Sequence, residues 1–438
     1  MPDRARGDLS RPAAEEMARP TLEGSAALRL LSDQLLHYVF DFLGTGFVAG
    51  EEELGRWVAV VRRFPGLPLV VKASNKAANV YRVFSFRVAT KLVVNNRPID
   101  TKRGFTWLQG LGTDETIREL DLENAGLTNS DVTQLVQSLE RNQTLDVIHL
   151  GKNFIFGDEY PVRCNLPWDK LRVKILTLRY GAIRGRGAHM FFKGLATSAK
   201  LTALHLTGNT TLGASELGNL GGLLERTKHL RVLLLDRCDV AETSLHGLLR
   251  GLAFNTSLQE LSLAQNPAIR DQGAVMLADM LRENKTLQAV DLNMCEIGSM
   301  GATRLADAIV ASSSPLQKLN LAYNRSIGGI GAAALGRMLK SPCQKLRELN
   351  VRECSSGNEG KREVIRALAC NTTLTALDLG GERLDEPTEV VARLASALKQ
   401  NQSLTKLSLE HFELSLEEKA LLRKSAMGAP RLKHLLLD

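Results

Sequence analysis

The chain lacks the marks of most membrane, secreted and catalytic classes. No apolar run approaches the ~20 residues that cross a bilayer, so no membrane span is expected. The first 30 residues are charged and alanine-rich with no apolar core, so no secretory leader is read there. Asp3, Asp8, Glu15 and Glu16 lie among Arg4, Arg6, Arg11 and Arg19, which argues against a transit peptide, since those are poor in acids. There are six cysteines in 438 residues and no C-x-x-C pair, which removes the usual zinc and redox motifs. No Ser–His–acid set is visible. Lys and Arg are interspersed with Asp and Glu, so the net charge of +8 reads as solubility before it reads as nucleic-acid binding.

What is present is repetition. LTALHLTGN begins at Leu201, LRVLLLDRC at Leu230, LQELSLAQN at Leu258, LQAVDLNMC at Leu287, LQKLNLAYN at Leu316 and LRELNVREC at Leu346. Each row is L-x-x-L-x-L-x-x-N/C, and a helical pattern follows it. The same frame starts at Ile117, Leu145, Val173, Leu374, Leu404 and Leu432, with a degenerate opening row around Leu92–Ile99 whose return is packed by Trp107, Leu108 and Leu111. Alternating apolar residues point inward from a short strand, and the residues between them point to the opposite, concave surface. The second half reads G-A-x-x-L-A-x-x-L, as in Gly273, Ala274, Leu277 and Leu281, which predicts an amphipathic helix antiparallel to the strand. Helices are wider than the ~4.8 Å strand spacing, so stacking bends the array into an α/β horseshoe solenoid with parallel strands inside.

The ninth residue alternates: Asn209, Cys238, Asn266, Cys295, Asn324, Cys354. The Asn rows reach their next apolar residue three positions on (Leu212, Ile269, Ile327); Cys238 and Cys295 reach theirs two positions on (Val240, Ile297). The true unit is a pair of repeats. This alternation resembles the ribonuclease-inhibitor class of leucine-rich repeats over residues 117–438. It degrades where Gly181, Glu382 and Phe412 occupy the ninth position. Buried, unpaired thiols at that position fit a reducing compartment, cytoplasmic or nuclear. In the Leu145 repeat, Pro161 and Pro167 exclude a regular helix, so an irregular loop is expected, with Tyr160 and Trp168 covering the core.

Residues 1–24 read as a disordered tail. From 25 to 88 the pattern is helical and outside the repeat: a helix over Leu28–Leu43, a second over Glu51–Phe64, and a third starting at Val70. The spacing of Leu31, Leu35, Leu36, Val39, Phe40 and Leu43 resembles an F-box. Ser32 stands where that motif has proline, and the acid, Asp33, precedes Leu35 by two residues. The resemblance implies docking to a Skp-like adaptor of an SCF ubiquitin ligase. The same segment also serves as the N-terminal cap that a solenoid edge needs. The solenoid is placed at 89–438.

Three other motifs have bland explanations. Gly329–Ala334 matches G-x-G-x-x-A, but equivalent glycines start the neighbouring helices and no acid follows about twenty residues on, so no cofactor is expected. Asn142, Asn255, Asn284, Asn371 and Asn401 begin N-x-S/T triplets; each ends a helix, where a left-handed capping conformation is expected. His149 and His205 lie two strands apart, about 10 Å, too far to share one zinc ion.

The expected function is therefore non-enzymatic protein recognition on the concave face. The candidate contact residues are His149, Arg179, Tyr180, His205, Asp291, Asn320, Tyr323 and Arg352. Tyr and Arg are common binding hot spots. The two functional classes are an F-box-type substrate receptor, and a regulatory or assembly scaffold similar to ribonuclease inhibitor or the Ran GTPase activators. The former of those two relatives is generally acidic and cysteine-rich and the latter carries an acidic tail, features this chain does not share.

Overall fold

A computed structural model describes residues 70–72, 91–94, 111–159, 168, 170–312, 314–342, 344–381 and 387–437. The F-box-like residues Leu31–Leu43, the tail, Trp107, Leu108, Tyr160, Pro161, Cys164, Pro167, Cys343 and Glu382 lie outside them.

Every expected strand is present, each beginning two residues after the row start, from Glu119–Asp121 to His434–Leu436. Fourteen strands of the described residues form one parallel sheet whose spatial order is the sequence order. The central residues align without slip: Leu120, Ile148, Leu176, Leu204, Leu233, Leu261, Val290, Leu319, Leu349, Leu377, Leu407 and Leu435. This is what period-2 patterning enforces: a slip of one residue would turn each buried Leu outward, at roughly 1.5–3 kcal/mol apiece.

One expectation fails at the start. Val70–Lys72, read as the opening of a third helix, is a strand paired with Lys91–Val93. Val70 and Val71 are β-branched and suit a strand. The sheet therefore reaches back into the region assigned to helices.

The return helices follow as expected, from Asn129–Ser138 to Leu416–Met427. Their G-A-x-x-L faces are buried: Ala274, Leu277 and Leu281, then Ala302, Leu305 and Ile309. Helices 214–226 and 245–254 approach backbone to backbone. A Cβ on Gly221 would lie 2.0 Å from the Gly247 carbonyl oxygen, and one on Gly251 would lie 2.2 Å from that of Gly221. Only hydrogen fits between them.

Among the described residues of 150–171 there is no helix. Trp168 closes the core there, 5.6 Å edge-on from Phe191, and Phe191 stacks on Phe156 at 4.3 Å. Aromatic area replaces the missing helix.

Candidate functional site

Two ladders of polar side chains hold the concave surface in place. Asn266, fully buried, donates its amide N–H groups to the carbonyls of Leu235 (2.9 Å) and Leu263 (2.7 Å). Its Oδ1 accepts from the backbone N–H of Cys238 and Val240, both at 3.0 Å. Asn324 repeats this with Leu292, Leu321, Cys295 and Ile297, and Asn153 with Leu122, Leu150, Ala125 and Leu127. These backbone groups would otherwise be buried and unpaired. The cysteines do less. Cys238, Cys295 and Cys354 each donate Sγ–H to one carbonyl of the preceding repeat, at 3.1–3.2 Å. Burial pushes the thiols of Cys238 and Cys295 up to about 12.

The second ladder lies at the helix ends and corrects an expectation. Asn142, Asn255, Asn284 and Asn371 are not left-handed; their φ is near −70° and ψ near 130°. Asn255 Nδ2 donates to the carbonyl of Leu224 at 2.6 Å, in the preceding helix, and its Oδ1 accepts from the N–H of Ser257 and Leu258. Asn142, Asn284, Asn371 and Asn401 make the same set. With the amide buried and donating, these asparagines are structural.

Left-handed residues do occur, one position before the first ladder: Lys152 (φ 54°), Tyr180 (54°), Arg237 (54°), Gln265 (59°), Met294 (53°), Tyr323 (60°) and Glu353 (55°). This conformation costs an L-residue roughly 1–2 kcal/mol. After Tyr180, Arg237 and Met294 the next backbone N–H is taken by the ladder asparagine of the following repeat, Asn209, Asn266 and Asn324 respectively. Tyr180 and Tyr323 consequently stand on the rim, 42% and 40% exposed. The Tyr180 ring lies over Gly208 (φ 80°), where a Cβ would meet ring carbons at 2.3 and 2.5 Å.

The predicted contact residues fall into three groups along the horseshoe. At the N-terminal side, His149 bonds Glu119 (3.0 Å), Lys91 reaches the same carboxylate (2.6 Å), and Arg179 and Lys152 reach Glu123 (3.3 and 3.0 Å). Burial works the other way, but the hydrogen bonds from Lys91 and His149 hold Glu119 below the usual carboxylate range, and those from Lys152 and Arg179 do so for Glu123. At the C-terminal side, Arg352 is only 14% exposed, bonded to Glu410 at 2.7 Å and near Asp378 at 3.9 Å. It is an internal strut rather than a free guanidinium.

The centre differs. Asp291 accepts from Asn320 Nδ2 (3.0 Å) and from the N–H of Asn293 (2.9 Å). Burial, and then the charge of Asp236, push its carboxyl above the ordinary range. His205 is held below its ordinary value by burial, then by Arg179 and His149, with Asp236 opposing. Asp236 itself was not among the expected residues. It accepts from Ser262 Oγ, from Thr207 Oγ1 (3.4 Å) and from the N–H of Ala264 (3.1 Å). Among the described residues no cation pairs with Asp236 or Asp291, and half-buried Leu234 is paired beside His205, with half-buried Val232 two residues back on the same face. The only signal in the sequence was Asp236 directly following L-L-L in row 230.

Comparison with known proteins places the repeats. Residues 254–278, 283–306 and 312–336 match the family described as Leucine Rich repeat. Ribonuclease inhibitor from Sus scrofa is 28% identical over 325 residues, 71% of this chain and 70% of the inhibitor. The Mus musculus inhibitor is 28% identical over 65% of this chain and 62% of its own length. NACHT, LRR and PYD domains-containing protein 5 from Homo sapiens is 28% identical over 60% of this chain, but that spans only 22% of the relative. Among solved structures, that of a TLR13–ssRNA13 complex superposes with a TM-score of 0.50 at 16% identity, over 85% of this chain and 54% of that one, a likeness of fold alone. No helix of the described residues is long and apolar enough to cross a membrane. The alternating Asn and Cys ladder, the unbroken parallel sheet and these relatives agree: the chain is a leucine-rich repeat solenoid whose repeats are similar to those of ribonuclease inhibitor.

Proposed function

We propose that the protein is a non-enzymatic recognition scaffold of a reducing compartment, cytoplasmic or nuclear, that binds a protein partner on its concave face. The carrying observation is the central pair Asp236 and Asp291, carboxylates with no cation paired to them among the described residues, beside Val232 and Leu234. Such a centre suits a partner that presents Lys or Arg beside an aliphatic side chain. Tyr180 and Tyr323 on the rim add contact area at low rotamer cost. A surface fixed by two hydrogen-bond ladders loses little freedom when it binds. The similarity to ribonuclease inhibitor supports a regulatory or assembly role.

The test is quantitative affinity capture with wild type, with Asp236→Lys plus Asp291→Lys, and with a control on the last helix, Lys424→Glu. Prey retained by wild type and control and lost from the double variant supports the reading. Identical prey on all three removes it. The F-box-type reading rests on Leu31–Leu43 in the sequence. It requires that a Skp-like adaptor and a cullin co-purify with the full chain and disappear on Leu35→Asp with Phe40→Asp.

A further inference from the structure

We propose that a basic pocket on the strand-entry edge of the C-terminal repeats binds a phosphate monoester carried by a polypeptide. A cleft of about 420 Å³ is lined there by Lys345, Arg347, Arg431, Thr372, Thr373 and Thr375, with Gln317 and Ser403 completing it. It lies at the end of the strands opposite the rim that carries Tyr323 and Arg352.

The charge is one-sided. Across residues 341–348, 371–376, 401–406 and 429–434 the basic residues are Lys345, Arg347, Lys406, Arg431 and Lys433, and the single acid is Glu348. Lys318 takes that acid at 2.9 Å. Lys345, Arg347 and Arg431 have no carboxylate partner among the described residues, whereas cations elsewhere on the sheet, such as Lys91, Lys152, Lys174 and Arg352, do. Like charges gathered in one cleft repel one another unless an anion joins them.

The walls are fixed before any anion arrives. Gln344 Nε2 donates to Thr373 Oγ1 at 2.7 Å, and its Oε1 accepts from the N–H of Leu346 at 2.6 Å. Thr375 Oγ1 donates to the Arg347 carbonyl at 3.0 Å, and Ser403 Oγ to that of Asn371 at 3.3 Å. The Thr372 side chain is exposed and makes no hydrogen bond among the described residues, so its hydroxyl is available to a ligand. Two guanidiniums, an ammonium and a free hydroxyl match the oxygens of a dianionic phosphate, which arginine can engage through two N–H groups at once.

The occupant follows from what else lines the cleft. Among the described residues that line it there is no aromatic ring for a base to stack on, which disfavours single-stranded nucleic acid. Nor do those residues include an exposed apolar side chain to enter a bilayer, which disfavours a lipid surface. The cations converge on one cleft instead of following a periodic backbone, which fits a single phosphoryl group on a peptide.

Fluorescence anisotropy on the full chain tests this, with a phosphoserine peptide in a Gly/Ala context, its unphosphorylated twin and a short single-stranded DNA as probes. Saturable binding of the phosphopeptide alone is expected, displaced by inorganic phosphate and weakened at least tenfold by Arg347→Gln with Arg431→Gln. Arg118→Gln, on the same edge at the N-terminal side, leaves it unchanged. Exposed side chains are replaced, and an unaltered circular dichroism spectrum and Tm confirm that the variants fold. Equal binding of the unphosphorylated twin, equal binding by the double variant, or tighter binding of the DNA would each overturn the proposal. Loss of concave-face prey leaves this site untouched, so the two readings fail separately.

Discussion

Replacing Asn324 by Ala measures what the first ladder is worth. The side chain satisfies two N–H groups, of Cys295 and Ile297, and two carbonyls, of Leu292 and Leu321, all within 2.8–3.0 Å and at a site with no exposure. Each group left buried and unpaired costs roughly 1–3 kcal/mol. Water entering the vacated volume recovers part of that, so about 3–5 kcal/mol is expected. The neighbouring Cys295→Ala removes one Sγ–H bond, to the Leu263 carbonyl at 3.2 Å, and a small apolar volume, about 1–2 kcal/mol. Urea unfolding followed by circular dichroism gives both values. Hydrogen exchange should show the loss first in strands 289–291 and 318–320, because repeats are stabilised by their neighbours. If Asn324→Ala costs no more than Cys295→Ala, the account of the ladder is wrong.

Three further outcomes are expected. Asp291→Asn should raise Tm at neutral pH: a carboxyl with a raised folded pKa contributes stability that is present below its unfolded value near 3.9 and lost as pH rises through the folded one, so the gain should vanish in acid. The same variant should weaken partner binding if the charge serves recognition. Gly208→Ala should destabilise by about 1–3 kcal/mol, since φ is 80° and the Tyr180 ring occupies the Cβ position; thermal melts and Tyr fluorescence report the two effects. In alkylation mapped by mass spectrometry, exposed Cys370 should react in the native protein, whereas Cys238, Cys295 and Cys354 should react only after denaturation, because buried protonated thiols are inert.

The strands and their register were legible because Leu at alternating positions is a local signal repeated a dozen times. The alternation of Asn and Cys likewise announced two loop geometries: a 3-10 turn after Asn266 and Asn324, and a left-handed residue after Cys238 and Cys295. What escaped was decided at long range. Asn255 reads locally as a helix cap, but its amide is claimed by a carbonyl 31 residues earlier, which keeps it extended. Arg352 reads as a free guanidinium until Glu410, 58 residues on, is placed against it. Asp236 stands out only once the sheet shows that no cation among the described residues pairs with it. Val70–Lys72 carries no repeat motif, so only pairing with Lys91–Val93 reveals it as a strand.

The ladders also determine how such a chain can change length. Within a pair, Cys238 bonds back to Leu206 and the glycine-lined helices touch; between pairs, Asn266 supplies the acceptor for the N–H groups of Cys238 and Val240. Excising an Asn repeat alone, such as the one that begins at Leu258, would set the Cys238 turn against the Cys295 turn, and the N–H groups of Cys238 and Val240 would lose the acceptor Asn266 supplies. Excising the stretch from Leu201 to the residue before Leu258 rejoins like to like. Internal deletion should therefore be tolerated better in pairs, and loss of a single Asn repeat should be the change the architecture rejects.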